Sequence, residues 1–197
     1  NKLNESIHKE QINDFIKTHS FNFNEIRSNI TFPTAFDNGI SATWESLNQT
    51  YIKNNGEVTR PKQGENNVNV TLKATFTKGN VSQTAEYTAV VLAELNDNEA
   101  LEYDLANLNL NGNLNNLRSD LTLPTSTSEG TIITWSSSNK DFISDNGNLL
   151  QLSPSGSGKK TVTMTATGYR KHLKKTKDFQ INIAEDENYD SYLFVYF

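Results

Sequence analysis

The sequence predicts an all-β chain made of two tandem β-sandwich modules, each with a short helical lead-in. Three features predict this fold: an internal repeat, short segments in which apolar and polar residues alternate, and turn dipeptides between those segments. The chain has 197 residues. Each module therefore has roughly 90 residues, enough to bury a core without disulfides.

The internal repeat divides the chain. Residues 26–56 align with residues 117–147 at a constant offset of 91 residues and without a gap. The coinciding residues are Arg27-Ser28 with Arg118-Ser119, Pro33-Thr34 with Pro124-Thr125, Gly39 with Gly130, Thr43-Trp44 with Thr134-Trp135, Ile52 with Ile143, and Asn55-Gly56 with Asn146-Gly147. After a gap of one residue, 70–72 and 74–75 align with 162–164 and 166–167. Chance does not place proline, tryptophan and Asn-Gly together in register, so the chain is a duplication.

Each copy is predicted to contain several short strands. Alternation indicates strands around Ile30 and Phe32, and around their counterparts Leu121 and Leu123, each with one buried face. The further predicted strands are residues 68–76 and 87–92 in the first copy and 132–135, 161–167 and 179–183 in the second. We interpret both Asn-Gly dipeptides as type I′ hairpin turns, in which both central residues take positive φ. Gly79-Asn80 marks another turn, before strand 87–92.

A helix is predicted before each copy. The first helix is expected to begin with Asn4 as its N-cap, and the second with Asn96, for which Glu99 completes a capping box. The apolar faces are Ile7, Ile12, Phe15 and Ile16 in the first helix and Leu101, Leu105 and Leu108 in the second. Because open strand edges attract other strands, we expect each helix to cover a sandwich edge.

The composition excludes several classes of function. The net charge is −5 and there is no cysteine. These values argue against nucleic-acid binding, a polybasic membrane anchor, disulfides and thiolate metal sites. No apolar run is long enough to insert into a membrane, and no signal-peptide pattern is present. Because the chain opens with Asn1, we interpret it as a piece of a longer protein.

A set of motifs in the second copy points to a family. They are Leu123-Pro124-Thr125, residues 133–139 (Ile-Thr-Trp-Ser-Ser-Ser-Asn), Ile143, Gly147 and residues 162–166. This pattern resembles the bacterial immunoglobulin-like group 2 domains, and more narrowly their atrophied variant. The first copy departs from the pattern, since Phe32 replaces the leucine and Glu45-Ser46 follows Trp44. The repeat offset nevertheless extends the resemblance over nearly all of residues 4–185.

The resemblance implies immunoglobulin-like modules at residues 1–94 and 95–185, then a linker and the first strand of a following domain at 186–197. It also implies a secreted or cell-surface bacterial protein, in which such modules accompany arabinanase-like glycoside hydrolases with a five-bladed propeller. The apolar run at residues 192–197 is similar to the opening strand of such a propeller. The alternative is an extra edge strand on the second sandwich.

No enzyme is predicted within this chain. His8, His19 and His172 are scattered and lack metal-ligand spacing. The loop at 153–160 has Ser and Lys where a phosphate-binding loop needs Gly and Ser or Thr. The acidic stretches 94–99 and 185–190 hold oxygen ligands suited to calcium but lack EF-hand spacing, so we predict no metal site and no cofactor.

Aromatic residues are candidate contacts for sugars, which stack on ring faces. Trp44 and Trp135 occupy the same position of the repeat, inside an alternating strand, which favours core packing over a sugar platform. Tyr51 and Tyr169 lie near turns and are better platform candidates.

The basic run at residues 169–177 is the second candidate contact. Lys171, Lys174 and Lys175 belong to it. Contact with an anionic polymer is the functional interpretation. We favour the alternative, a solvated hairpin whose lysines resist edge pairing.

Three functions are compatible with the sequence. We favour non-catalytic spacer modules that position a neighbouring glycoside hydrolase domain. The alternatives are a carbohydrate-binding module and the stalk of a surface adhesin. We expect a monomer whose partners are neighbouring domains of the same polypeptide, with polysaccharide as a further partner and without nucleic acid.

Overall fold

A computed structural model of the chain describes residues 2–187 and divides it into two compact units, with the boundary between Leu95 and Asn96. The residues before this boundary are called unit 1 and those after it unit 2. No helix within residues 2–187 is long and apolar enough to cross a membrane. The predicted strand at 192–197 lies outside the described residues.

Each unit consists of one helix followed by a three-stranded antiparallel sheet. Unit 1 contains α1 (Lys2–Thr18), β1 (Ser41–Ser46), β2 (Val68–Lys78) and β3 (Val81–Val91). Unit 2 contains α2 (Asp97–Asn107), β4 (Ile132–Ser137), β5 (Lys160–Arg170) and β6 (Leu173–Ile183). The strand orders are β1-β2-β3 and β4-β5-β6, so the long hairpin pairs with a short first strand in both units. The prediction of two immunoglobulin-like all-β modules is confirmed.

Alternation along the central strands places one face of each sheet in the core. Val70, Leu72, Ala74 and Phe76 of β2 are at most 1% exposed. In β5 the corresponding buried residues are Val162, Met164 and Ala166. Period-2 alternation is expected of a strand with one buried face. The predicted central strands are thus correct, although each extends a few residues further than its pattern indicated.

The predicted strands around Ile30–Phe32 and Leu121–Leu123 are not regular strands. Each segment packs on the core but makes one backbone bond to the turn beneath it: the Ile30 N–H donates to the Gly56 carbonyl at 2.9 Å, and the Leu121 N–H to that of Gly147 at 2.8 Å. The other connections in these parts of the units are isolated bridges, such as Ile26 with Val91. Alternation showed that these segments are half-buried, but it cannot show whether a partner strand exists.

The two Asn-Gly turns are not type I′. Within residues 2–187, positive φ at non-glycine positions is confined to Asn38 and Lys171, so Asn55 and Asn146 do not take the required conformation. The Lys53 N–H instead donates to the Glu57 carbonyl at 2.8 Å, which closes a three-residue loop with Gly56 at φ 85°. This is the hairpin loop in which only the glycine is left-handed.

The capping-box prediction for α2 is confirmed. The Asn96 side chain accepts from the Glu99 N–H at 2.9 Å, and the Glu99 carboxylate accepts from the Asn96 N–H at 3.0 Å. The N-cap prediction for α1 is wrong, because the helix already includes Lys2 and Asn4 lies inside it. Lys2 and Leu3 are good helix formers and extend the helix before Asn4.

Both helices pack on the inner face of their sheet, against the central strand and the edge strand β3 or β6, so each contacts an edge strand as expected but through its face. In unit 1, Ile12 is fully buried and the Phe15 ring lies 5.3 Å from the ring of Phe76 in the central strand. In unit 2, Leu101 and Leu105 lie directly over Gly168 of β5, where an added Cβ would be 2.9 Å from Leu101 Cδ1. An apolar helix face gains more by covering the core than by covering a polar strand edge.

Candidate functional site

The two tryptophans are core residues that tie the repeat together. Trp44 is 9% exposed and Trp135 is half-buried. In each unit the indole Nε1–H donates to a proline carbonyl at 2.8 Å, that of Pro33 in unit 1 and that of Pro124 in unit 2. This bond joins the tryptophan to the Pro-Thr segment at the same place in both copies. It also supports core packing over a sugar platform.

The two candidate tyrosines have different surroundings. Tyr51 belongs to unit 1 and packs, half-buried, against the core of that unit. Tyr169 lies on β5 in unit 2 and is 38% exposed. The Lys174 ammonium lies 5.7 Å from the centroid of the Tyr169 ring, in cation–π range. Of the two, Tyr169 is the one that presents a ring to solvent.

Most of the basic run on the β5–β6 hairpin contacts α2. Arg170 Nε donates to Asp97 Oδ1 at 3.0 Å, and Lys171 Nζ lies 2.6 Å from Asp97 Oδ2. The hydrogen bond from Lys171, followed by that from Arg170, lowers the pKa of Asp97. Lys175 pairs with Glu102 and lowers the pKa of that carboxyl.

The same hairpin also caps the end of α2. Lys177 Nζ donates to the carbonyls of Ala106 at 3.0 Å and Leu108 at 2.7 Å. Cations at a helix C-terminus satisfy its last carbonyls. The basic run therefore holds α2 along its length, and Lys174, which lies beside Tyr169, is one of its exposed members.

The described acidic residues near the unit boundary have protein partners. Glu94 pairs with Lys62 at 3.1 Å, Asp97 with the hairpin, and Glu99 with the N-terminus of α2. Across residues 2–187, no group of three or more His, Asp or Glu side chains is placed to hold a metal ion. Positions 188–190 of the second acidic stretch lie outside the described residues.

Asp104 is a buried carboxylate that the sequence patterns did not single out. It is 2% exposed and accepts hydrogen bonds from the N–H groups of Glu129 at 3.1 Å and Thr131 at 3.2 Å. Burial raises the pKa of Asp104, but the hydrogen bonds from loop 127–131 outweigh it and hold the pKa below its ordinary value. The side chain thus fixes α2 to the loop before β4. Its only signal in the sequence is an acidic residue on the apolar face of the helix.

Unit 1 contains a cleft that the sequence patterns also missed. It lies between α1 and the turn Asp37–Gly39, has a volume of about 700 Å³, and is lined by aromatic and polar side chains. No motif joins the two segments that form it.

Comparison with known proteins agrees with this division into units. The family model described as the atrophied bacterial Ig domain matches residues 11–94 and, a second time, residues 96–186. A search of curated proteins finds no match. The two family matches cover most of the chain and fall one in each unit. The chain therefore belongs to the atrophied bacterial Ig domain family and carries two copies of the domain in tandem.

Proposed function

We propose that the two units are non-catalytic accessory modules of a secreted, multidomain bacterial carbohydrate-active enzyme, in which they position a neighbouring glycoside hydrolase domain. One observation carries the proposal: the distinctive residues that the two copies share serve to hold each unit together. The tryptophans bind proline carbonyls, and the shared glycines Gly56 and Gly147 lie where a side chain would clash with a backbone carbonyl. Residues retained for folding favour a structural role.

Paired loop contacts support the same role. The Ser46 N–H donates to Asn54 Oδ1 at 2.8 Å, and the Ser137 N–H donates to Asp145 Oδ1 at 2.9 Å at the equivalent place. Such bonds satisfy buried backbone donors and fix the loop after the first strand. A module stabilised in this way folds without a ligand, as a spacer requires.

The test is to read the coding sequence beyond Phe197 and to express the whole protein with and without residues 1–187. We expect a propeller domain with paired carboxylates. Removal of the units is expected to leave kcat/KM on a soluble arabinan oligosaccharide unchanged and to lower the rate on insoluble arabinan several-fold. Further tryptophan-containing repeats in place of a propeller would favour the stalk. A large loss on the soluble substrate would contradict a spacer role.

A further inference from the structure

The cleft in unit 1 has an aromatic floor. Phe15, His19 and Phe36 all line it. The Phe15 and His19 rings are stacked with centroids 4.2 Å apart, and the Phe15 and Phe36 centroids are 4.7 Å apart. His19 is exposed, whereas the two phenylalanines are half-buried against the core. The Phe36 ring is tilted by 56° to Phe15 and by 72° to His19, so the floor is a cluster of rings at different angles, with His19 as its exposed member.

Polar side chains of three elements surround this floor. Gln11 and Asp14 come from α1, Asp37 and Asn38 from the turn before β1, and Lys78 from the end of β2. Together they offer carboxylate acceptors, amide donors and acceptors, and an ammonium donor. A few convergent polar groups above an apolar surface are the usual composition of a small-molecule site.

The two units differ at this place. The two helices can be matched position by position. His8 of α1 and Asp97 of α2 both lie at the turn of the long hairpin, and Ile12 and Leu101 are both fully buried. Three residues further along α1, the next side chain that points toward the sheet is Phe15.

In unit 2 that position is Asp104, which binds loop 127–131. The corresponding depression has about 270 Å³ and is lined by Asp104, Leu108 and Thr127 where unit 1 has its three rings. Unit 1 therefore has an aromatic floor and an open cleft where unit 2 has an internal tether.

The turn that forms one wall of the cleft has an unusual backbone. Asn38 adopts φ 65° and ψ 16°, a left-handed conformation that is uncommon for a residue other than glycine. Asparagine adopts it more readily than other non-glycine residues, and it shapes the turn at this wall of the cleft. Here the conformation belongs to a residue whose amide lines the cleft.

We propose that this cleft binds a saccharide, with one sugar ring packed against the exposed His19 ring of the aromatic cluster. The C–H face of a sugar is apolar and stacks on aromatic rings, while each hydroxyl both donates and accepts hydrogen bonds. The rim of the cleft can bind such hydroxyl groups, because it contains an ammonium donor, carboxylate acceptors and amides that do both. Lys78 opposes a cationic ligand, and Asp14 with Asp37 opposes an anionic one. This binding is separate from the spacer role and can be tested on the present chain.

The first experiment is a titration of the ¹⁵N-labelled chain with arabinotriose, xylotriose, cellotriose and galactotriose, followed by amide chemical shifts. We expect saturable shifts for at least one trisaccharide at residues 18–19 and 37–38, and none at residues 107–108 and 128–129 of unit 2. Arginine serves as the cationic probe. No saturable shift with any of the four sugars would overturn the proposal, and so would tighter binding of arginine at the same amides.

Two variants then test the floor and the rim separately. Asp37→Ala alters an exposed side chain, so the thermal midpoint should stay nearly constant while the affinity falls about tenfold. His19→Ala also removes the stacking on Phe15, so a lower thermal midpoint is expected, and its affinity, measured well below that midpoint, should fall about tenfold as well. Ser128→Ala, at the position in unit 2 equivalent to Asp37, is the matched control and should leave the affinity unchanged. Full affinity in both unit 1 variants would place the bound sugar elsewhere and refute the assignment.

Discussion

At the scale of single residues, Asp104 makes the stability of unit 2 depend on pH. Its pKa is held below the ordinary value in the folded state, because hydrogen bonds from loop 127–131 outweigh the effect of burial. The stabilisation is therefore present above the unfolded pKa and is lost as pH falls through the folded pKa. We expect Asp104→Ala to lower the free energy of unfolding by about 1–3 kcal/mol at pH 7, since it leaves buried N–H groups without an acceptor.

Urea unfolding of unit 2 at several pH values checks this prediction. The difference between the native protein and Asp104→Ala should shrink below about pH 4, the ordinary range for aspartate. Asp141→Ala, at an exposed position of the same unit, is the control and should show no such trend. A difference that stays constant down to pH 2 would show that the carboxylate charge contributes nothing.

Glycine is required at position 56 for two reasons, its backbone conformation and the closeness of its neighbours. A Cβ at this position would lie 2.0 Å from the Ile30 carbonyl oxygen, and φ is 85°. Gly64 has nearly the same φ, 86°, but nothing within 4 Å of the added Cβ. We expect Gly64→Ala to cost about 1–2 kcal/mol through strain alone. Gly56→Ala should cost at least about 2 kcal/mol more, because backbone must move. If urea unfolding showed the same decrease in the free energy of unfolding for Gly56→Ala and Gly64→Ala, the predicted clash would be ruled out.

Lys174 is the position at which contact with an anionic polymer can be tested cleanly. Reversing Lys171 or Lys175 would also break ion pairs with α2, so a loss of binding there could result from a displaced helix. Lys174→Glu should leave the thermal midpoint unchanged and weaken retention on immobilised polygalacturonate at low salt. Lys9→Glu in unit 1 gives the same change in net charge and is the control. Identical retention of the two variants would leave the basic run with a structural role alone.

At the scale of secondary-structure elements, the two helix starts make a matched pair. Asn96 caps α2, whereas Asn4 lies exposed inside α1. Asn96→Ala removes a cap and should destabilise unit 2 by about 1 kcal/mol. Asn4→Ala should be neutral or slightly stabilising, because alanine is the better helix former. Thermal unfolding of both variants tests this prediction. A marked decrease in the stability of Asn4→Ala would show that Asn4 is the cap of α1 after all.

Local patterns in the sequence predicted the elements well, and contacts between elements poorly. The capping box and the alternating central strands depend on neighbours in the chain, so they were readable. The partner of Lys175 is Glu102, 73 positions away, and no pattern joins the two residues. The turn type at Asn55-Gly56 was misjudged because tertiary bonds, such as that from the Ser46 N–H to Asn54, hold the loop in another conformation. The cleft was not predicted, because it depends on inward residues that differ between the units, such as Phe15 in unit 1 and Asp104 in unit 2, and no local pattern shows this difference.

At the scale of the whole molecule, the same scaffold is filled in two ways. The core of unit 1 contains a network of rings that includes Phe21, Phe23, Phe32, Trp44 and Phe76. At the positions of Phe23, Phe32 and Phe76, unit 2 has Leu114, Leu123 and Gly168, and the glycine is covered by leucines of α2. Cores tolerate such changes when volume and patterning are kept. Duplication preserved the backbone contacts while side-chain packing, and with it the cleft, diverged.

Because each unit buries its own core, each should unfold in a transition of its own. The chain has two tryptophans, Trp44 in unit 1 and Trp135 in unit 2. Fluorescence of Trp135→Phe therefore reports unit 1, and that of Trp44→Phe reports unit 2. In these backgrounds Gly56→Ala should lower only the urea midpoint reported by Trp44, and Asp104→Ala only the one reported by Trp135. If either substitution moved both midpoints together, the two domains would be one cooperative folding unit, and a spacer of independent modules would be the wrong description.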